Sequence, residues 1–282
     1  MSSLSERQAR RVARYYRWLD GLSFFREKRA EGEAAHPVHR ALADPAGGPP
    51  SPMVIHRLML EGVTLPVSPR VLDAGCGYGA TMIDLAPQFG GDWTGLTLSP
   101  EQAERGNAAI AAAGLADRVR VLVQSYDLPP EGLFDLIYGI ESLIHSANPA
   151  ATLAGLAQRL VPGGHLIVVD DMPEAALAPE PAARLAEFKR YWRCPVAHDR
   201  TGWVAALEAA GLMLRHERDL NPLLQVRGMA AVALRLKKLR RNPWLLFGLA
   251  VRAEAEIGGL VLETLQTEGF VHYRLLVAQK PV

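Results

Sequence analysis

The 282-residue sequence predicts an α/β fold: a seven-stranded, mostly parallel sheet with helices on both faces. Three observations carry this prediction. A short apolar run, Val71-Leu72, ends in Asp73 and then in Gly75, Gly77 and Gly79 at alternate positions. From residue 70 onward, short strand-like runs alternate with segments long enough for a helix of three turns. Hydrophobic residues make up 49% and charged residues 22%, so a chain of this length buries a sizeable core.

Residues 1–62 read as an N-terminal helical cap and linker. The first thirty mix charges with Tyr15, Tyr16, Trp18, Phe24 and Phe25, the pattern of one or two helices packed on another surface. Residues 44–52 are a linker by their proline and glycine content, and a short helix is expected over 52–61. Residues 63–171 form the core. Strands are expected at 71–73, 92–98, 119–123, 134–138 and 166–169, with helices at 80–89, 99–113 and 149–160. Ser99 can cap the second of these helices, Pro100 suits its first turn, and Gln102 stands where a capping box needs it. Gly114 stops that helix. Val161-Pro162-Gly163-Gly164 reads as a turn before the fifth strand. Residues 172–202, rich in proline, alanine and aromatics, read as an inserted lid. Residues 203–282 complete the core with a helix at 203–210, a strand at 212–219 and a last strand at 271–277. A helical cap segment at 221–262 lies between those strands.

Composition excludes several classes. A net charge of +1 gives no argument for nucleic-acid binding. Cys76 and Cys194 make neither a disulfide framework nor a metal cluster, and a reduced, cytoplasmic setting is expected. The first residues lack the apolar core of a signal peptide, and the apolar stretch 244–251 is shorter than the roughly 20 residues a membrane span needs. The basic run Arg235 to Arg241 reads as a solvated helix face. Its alternatives are a peripheral contact with anionic lipid through 235–248 or a clamp for a substrate phosphate. No motif fixes an oligomeric state, and a homodimer is compatible with the sequence.

The glycine loop narrows the ligand. A phosphate-cradling loop needs Lys-Ser/Thr after its last glycine, but Gly79 is followed by Ala80-Thr81-Met82. A dinucleotide loop has its third glycine one residue later than Gly79. Asp73, immediately before the turn, would repel a pyrophosphate and suits a ligand with a positive centre.

Asp73-Ala74-Gly75-Cys76-Gly77-Tyr78-Gly79 resembles the first motif of the class I S-adenosylmethionine-dependent methyltransferases, acid-x-Gly-x-Gly-x-Gly, at every fixed position. Phe134-Asp135-Leu136-Ile137 is similar to that family's fourth-strand motif, and Leu160 to Leu166 to the turn before its fifth strand. The resemblance implies a Rossmann-like fold, S-adenosylmethionine as cofactor, and contacts from Asp73, Ala74, Gly75 and Gly77. The usual ribose-binding acid after the second strand is missing. Gly95-Leu96-Thr97-Leu98-Ser99 with Gln102 resembles the branch of cyclopropane fatty acid synthases, mycolic acid methyltransferases and natural-product methyltransferases. In that branch Thr97, Leu98 and Gln102 would hold the ribose, although Gln102 also reads as a plain capping residue. Ser125, Tyr126 and Asp127 fall where the family contacts adenine; Asp127 faces the exocyclic amine or caps a turn. Gly139 and Ile140 join the cofactor-binding set.

Tyr138 to Ser146 resembles the Glu-Ser-x-x-His segment of tocopherol-type and glycoside O-methyltransferases, and more loosely the Glu-bearing segment of sterol methyltransferases. Glu141 and His145 are four apart and would share one face of a helical turn. Histidine titrates near neutrality and can take a hydroxyl proton, with Asp170 or Asp171 orienting it. The plainer readings are a loop-bonded structural histidine and a Glu141 that contacts backbone or the cofactor's ammonium. Aromatics of the cap and lid, with Tyr191 and Trp192, suggest an apolar small-molecule acceptor. His36, His39 and His198 are further polar candidates, and the segment 256–273 is expected near the pocket. Three functions follow: O-methylation of an apolar small molecule, C-methylation through a carbocation stabilised by Glu141 and aromatics, or a non-catalytic binding module. No metal is implied.

Overall fold

The computed structural model describes residues 3–21, 38–241 and 250–282. Phe24, Phe25, His36 and the 242–248 portion of the expected lipid contact lie outside the described residues.

Seven strands form one sheet. They are β1 Arg70–Ala74, β2 Asp92–Thr97, β3 Val119–Val123, β4 Phe134–Ile140, β5 Leu160–Pro173, β6 Met213–Asp219 and β7 Val271–Gln279. Their order is β3-β2-β1-β4-β5-β7-β6, with β1 to β5 parallel and β7 antiparallel to both of its neighbours. This is the expected α/β, Rossmann-like architecture. Strand periodicity explains its two faces. Val71, Leu136, Ile167 and Val277 pack against one helical layer, while their neighbours Leu72, Ile137, Leu166 and Leu276 pack against the other. The first layer draws on α2 Val54–Leu58, α3 Ala80–Phe89 and α4 Pro100–Ala112; the second draws on α5 Pro149–Gln158 and α7 Arg200–Ala209. The chain runs outward from β1 to β3 and returns to β4 on the other side of β1. That reversal opens a crevice at the carboxyl ends of β1 and β4.

The caps behave as the sequence implies. Ser99 Oγ accepts from the Gln102 N–H at 3.3 Å, opening α4. Asn148 and Asp199 do the same for α5 and α7. The expected turn at 161–164 differs: it is a bulge inside one continuous β5. Leu160 pairs with Phe134, the register slips, and pairing resumes between His165 and Leu136. Gly163, at φ +78, supplies the extra bend, and its N–H donates to the Lys280 carbonyl.

Among the described residues four further helices sit outside this sandwich, including α1 Leu4–Gly21, α6 Pro179–Trp192 and α9 Ala250–Thr267. The segment read as a lid contains α6, which buries Phe188 against Leu260 and Val261 of α9. On its other side α9 meets α1, where Ala255 packs with Tyr15 and Leu19. The basic run lies on α8 Met229–Arg241. Its Val232 and Leu239 are buried, while Arg235 pairs with Glu256 at 2.5 Å and Arg240 with Glu187 at 2.7 Å. Among the described residues no helix is long and apolar enough to cross a membrane.

Candidate active site

A cavity of about 830 Å³ opens at the carboxyl ends of β1, β2 and β4 and extends under α1 and α9. One end is polar and built on the sheet. Asp73 ends β1, and Gly75 follows at φ +105, a conformation that strongly favours glycine. A Cβ there would fall 2.4 Å from Ser142 Cβ, so the loops after β1 and β4 touch only because residue 75 has no side chain. Ser142 Oγ donates to the Ala74 carbonyl at 2.5 Å, and the N–H groups of Gly75 and Cys76 both donate to the Leu96 carbonyl. Asp73 is 3% exposed, and burial pushes its carboxyl up to about 7. A carboxyl held this way gains from a cationic ligand.

Thr97, Leu98 and Gln102 line the same end. The Thr97 hydroxyl donates to Gln102 Oε1 at 2.7 Å and accepts from the Ser99 N–H at 3.2 Å. Gln102 thus donates its N–H to the Ser99 cap and also belongs to the cavity wall. Ser125, Tyr126 and Asp127 line it as well. Tyr126 donates to the Ser142 carbonyl at 3.2 Å, and one Asp127 oxygen accepts from Thr152. The glycine cradle, the buried acid and this polar wall fit a nucleoside-like ligand that carries positive charge.

Elsewhere the cavity is lined by Val12, Tyr15, Leu19, Trp192 and Leu262, together with the charged Arg227, Arg235, Arg252, Glu256 and Glu263. Glu141 and His145 lie in the cavity wall as well. They do not share a helical face. Glu141 sits at φ +51 immediately after β4, and the following 3₁₀ turn covers only Leu143–His145. The Glu141 carboxylate accepts from the Arg40 N–H at 3.0 Å. His145 Nε2 lies 3.0 Å from the Tyr16 hydroxyl, while Nδ1 lies 3.5 Å from the Arg193 carbonyl and 3.7 Å from Cys194 sulfur. Burial, partly offset by the Arg193 carbonyl and Glu141, lowers the His145 imidazole to about 4, so it is neutral at pH 7. Gln8 on α1 donates to the carbonyls of His145 and Arg193, at 3.1 and 2.6 Å, fastening the helix that carries Tyr16.

The expectation that Asp170 or Asp171 orients His145 is corrected. Asp170 Oδ2 accepts the Ile144 N–H at 2.9 Å. Asp171 takes the Arg40 guanidinium in a two-pronged pair, at 3.1 and 2.7 Å, and the Gln266 amide at 2.7 Å. Burial raises both carboxyls, and the Arg40 charge draws that of Asp171 back. Ala74, Gly139, Asp170 and Asp171 are absent from the cavity wall among the described residues; Ile140, Gly75 and Gly77 are present. Gly139 has a steric role, since a Cβ there would reach Leu143 and Ser142 Oγ at 2.8 Å. His198 stacks edge-on against Trp203 rather than lining the cavity, whereas His39 does line it.

The sequence profile of the methyltransferase domain family matches residues 14–233. The chain belongs to that family. As a methyltransferase-domain protein it is similar to a probable chloroplastic tocopherol O-methyltransferase of Oryza sativa subsp. japonica. The two are 42% identical over 101 residues, 35% of this chain and 28% of the rice protein. It is also similar to the sterol 4-C-methyltransferase strm-1 of Caenorhabditis elegans, 35% identical over 118 residues, 41% of this chain and 35% of that protein. The chain thus matches about a third of the length of these curated relatives. Among solved structures, the [4+2]-cyclase SpnF superposes with a TM-score of 0.75 at 21% identity, over 97% of each chain. The geranyl diphosphate C-methyltransferase of Streptomyces coelicolor A3(2), solved with Mg2+, geranyl diphosphate and S-adenosyl-L-homocysteine, gives 0.70 at 18% identity, over 97% and 98%. A geranyl diphosphate methyltransferase solved with geranyl diphosphate and sinefungin superposes with a TM-score of 0.71 at 19% identity, over 97% of this chain and 99% of that one. At these identities the superpositions establish the fold.

Sequence reasoning missed several groups that this methyltransferase-domain chain places at the cavity. Arg40 was not singled out, yet its guanidinium is tied to Asp171 and lies 4.8 Å over the Tyr273 ring. Ser142 was read only as part of the Glu-Ser-x-x-His segment, with no partner assigned to it. Tyr16 was one aromatic among several. Their partners lie 68 to 131 residues away in the chain, so no local pattern could mark them.

Proposed function

We propose that the chain transfers the methyl group of S-adenosylmethionine to a hydroxyl oxygen of an apolar small molecule, with His145 and Tyr16 removing the proton. The observation that carries this reading is the neutral His145 imidazole in the cavity wall, 3.0 Å from the Tyr16 hydroxyl. S-adenosylmethionine supplies an electrophilic methyl carbon on a positively charged sulfur. The protein's share is alignment and a base. Asp73 offers a carboxylate to the ligand's positive charge, and Gly75 lets the backbone approach closely. Thr97, Leu98, Gln102, Ser125, Tyr126 and Asp127 form the wall suited to the ribose and base, with Ile140 and Gly77 beside them. With the Nδ1 proton directed at the Arg193 carbonyl, Nε2 is the basic nitrogen. The buried Tyr16 phenol stays protonated and passes its proton to Nε2 while taking one from the acceptor hydroxyl. The apolar surface of Val12, Tyr15, Leu19, Trp192 and Leu262 would seat the acceptor's body.

The rice relative's name supports a phenolic acceptor, and the worm relative's keeps carbon as the alternative target. The Arg40 pairing weighs against the carbocation route, because the Glu141 carboxylate already has a cation 3.9 Å away. The ion pairs of Arg235 and Arg240 weigh against a lipid contact, while the place of Arg235 in the cavity wall keeps the phosphate-clamp reading beside the solvated face. The test is incubation of the full chain with isotopically labelled S-adenosylmethionine and a panel of apolar alcohols, prenylated phenols and polyprenols. A methyl ether supports the reading. A carbon-methylated product replaces it with the alternative. Absence of binding to S-adenosylhomocysteine by calorimetry favours a non-catalytic module.

A further inference from the structure

The turn that carries His145 is gripped at both ends from the loop after β3. In the sheet β2 and β1 lie between β3 and β4, so that loop reaches past two strands to touch the turn after β4. At the near end the Tyr126 hydroxyl donates to the Ser142 carbonyl at 3.2 Å. The same carbonyl accepts the His145 N–H at 3.2 Å. At the far end the Thr152 hydroxyl, on α5, donates to Asp127 Oδ1 at 2.5 Å and lies 2.7 Å from Ser146 Oγ. Ser146 Oγ accepts the Asn148 N–H at 3.1 Å, and the Ser146 N–H donates to the Leu143 carbonyl at 3.0 Å. Tyr126 and Asp127 are neighbours in the chain, yet one holds residue 142 and the other, through Thr152, holds residue 146.

Burial makes these bonds count. Ser142, Ser146 and Thr152 are all buried. A bond left unmade at such a group costs about 1–3 kcal/mol. Burial also raises the Tyr126 phenol well above its ordinary value, which keeps it a donor. The far line holds whichever of the Ser146 and Thr152 hydroxyls donates to the other.

Capping does not account for the far line. Asn148 already caps α5 with its own side chain, which accepts from the Ala151 N–H. Ligand contact does not account for it either. Tyr126, Asp127, Ser142 and His145 line the cavity, but Ser146 and Thr152 are absent from its wall among the described residues. What the two hydroxyls do is join the loop of Asp127 to the end of the turn that presents the imidazole. Alignment is where such a join matters, since a displacement of about 1 Å can cost on the order of 10²-fold in rate.

We propose that Tyr126, Ser146 and Thr152 are positioning residues that hold His145 at a fixed spacing from the polar, sheet-built end of the cavity, Tyr126 through the Ser142 carbonyl and Thr152 through Ser146. The loop after β3 then has two tasks. It walls the polar end, and its hydrogen bonds set the turn that carries the base. The inference rests on the O-methylation reading for the use of His145 as that base.

The experiment is nitrogen NMR of the full chain carrying isotope-labelled histidine, run on the wild type, Tyr126→Phe, Ser146→Ala, Thr152→Val and Thr152→Ser. Wild-type His145 should show one tautomer, with two well-separated nitrogen signals. In Tyr126→Phe, Ser146→Ala and Thr152→Val the two signals should draw together as the turn loosens. Those of His165, near the start of β5, should stay in place. Thr152→Ser keeps the hydroxyl and should match the wild type. Calorimetry should find S-adenosylhomocysteine affinity little changed in Ser146→Ala. Methyl transfer by that variant to a phenol of the panel should fall about tenfold, the rate equivalent of one hydrogen bond. His145 signals that do not respond to Tyr126→Phe and Ser146→Ala overturn the proposal, as does a wild-type His145 already averaged between tautomers. His165 signals that move with those of His145 also overturn it, because the bonds are then general props of the fold. The NMR outcomes are read without turnover. A responsive His145 in a chain that yields no methyl ether keeps the positioning and removes the O-methylation reading.

Discussion

The Tyr16 hydroxyl lies 3.0 Å from His145 Nε2, although Tyr16 belongs to the N-terminal helix and His145 to the turn after the fourth strand. The contact joins the cap to the sheet in the cavity wall, where the proposed O-methylation would need a base. His145→Ala should lower turnover by roughly 10²–10⁴-fold, the usual worth of a positioned base, with S-adenosylhomocysteine affinity little changed. Tyr16→Phe should lose less, because His145 can still reach the acceptor through water. Initial rates of S-adenosylhomocysteine release and calorimetry on the same preparations check both. Undiminished turnover in His145→Ala would remove the base from the scheme.

Arg40 and Asp171 join the strip at 38–42 to the fifth strand. The guanidinium is fork-bonded to a carboxylate whose side chain is 4% exposed. Burial opposes the Arg40 charge, but Asp171 and Glu141 hold its proton more firmly than usual. Removing one partner leaves the other buried without compensation. Asp171→Ala should destabilise the fold by on the order of 3 kcal/mol, visible in denaturant melts. The double variant Arg40→Met/Asp171→Leu should recover much of that loss, and failure to recover would show that the pair does more than balance charge.

The local parts of the site were legible in the sequence, and the assembled parts were not. Asp73 to Gly79 works within seven residues: the acid, the strand end and the turn all lie in one run. Ser99 and Gln102 were readable for the same reason, because they stand only three positions apart. His145 could be singled out by its spacing from Glu141, but not its partner, because Tyr16 reaches it from 129 positions away. The two acids after the fifth strand looked suited to orient His145. They failed because strand alternation sends them to different places, Asp170 to the Ile144 N–H and Asp171 to Arg40. The 161–164 segment misled in a simpler way. Pro-Gly-Gly marks a bend, and a bulge inside a strand uses the same residues as a turn between elements.

Gly75 tests the close approach of two loops. Its φ of +105 strains any L residue, and an added Cβ would meet Ser142 at 2.4 Å. Gly75→Ala should weaken S-adenosylmethionine binding at least tenfold and lower the melting temperature, since such backbone strain alone costs about 1–3 kcal/mol. Adding Ser142→Gly removes the clash but not the strain, so it should restore part of the loss. Full restoration would mean that the backbone conformation matters less than the contact.

Asp73 gives the site a pH dependence whose sign can be worked out. Burial raises its folded-state value to about 7 from 3.8. Between those values the folded, ligand-free chain binds more protons than the unfolded chain at this position. Asp73 therefore makes the ligand-free fold less stable as pH rises from about 4 through 7. A cationic ligand reverses this, because it favours the carboxylate. S-adenosylmethionine should bind more tightly at pH 8 than at pH 6, with proton release on binding at the lower pH. The rise in melting temperature that it produces should grow over the same interval. In Asp73→Asn the affinity should drop and its slope between pH 6 and 8 should flatten. Calorimetry in two buffers of different ionisation enthalpy reads the released proton directly. An unchanged slope in the Asn variant would assign the pH dependence to another group.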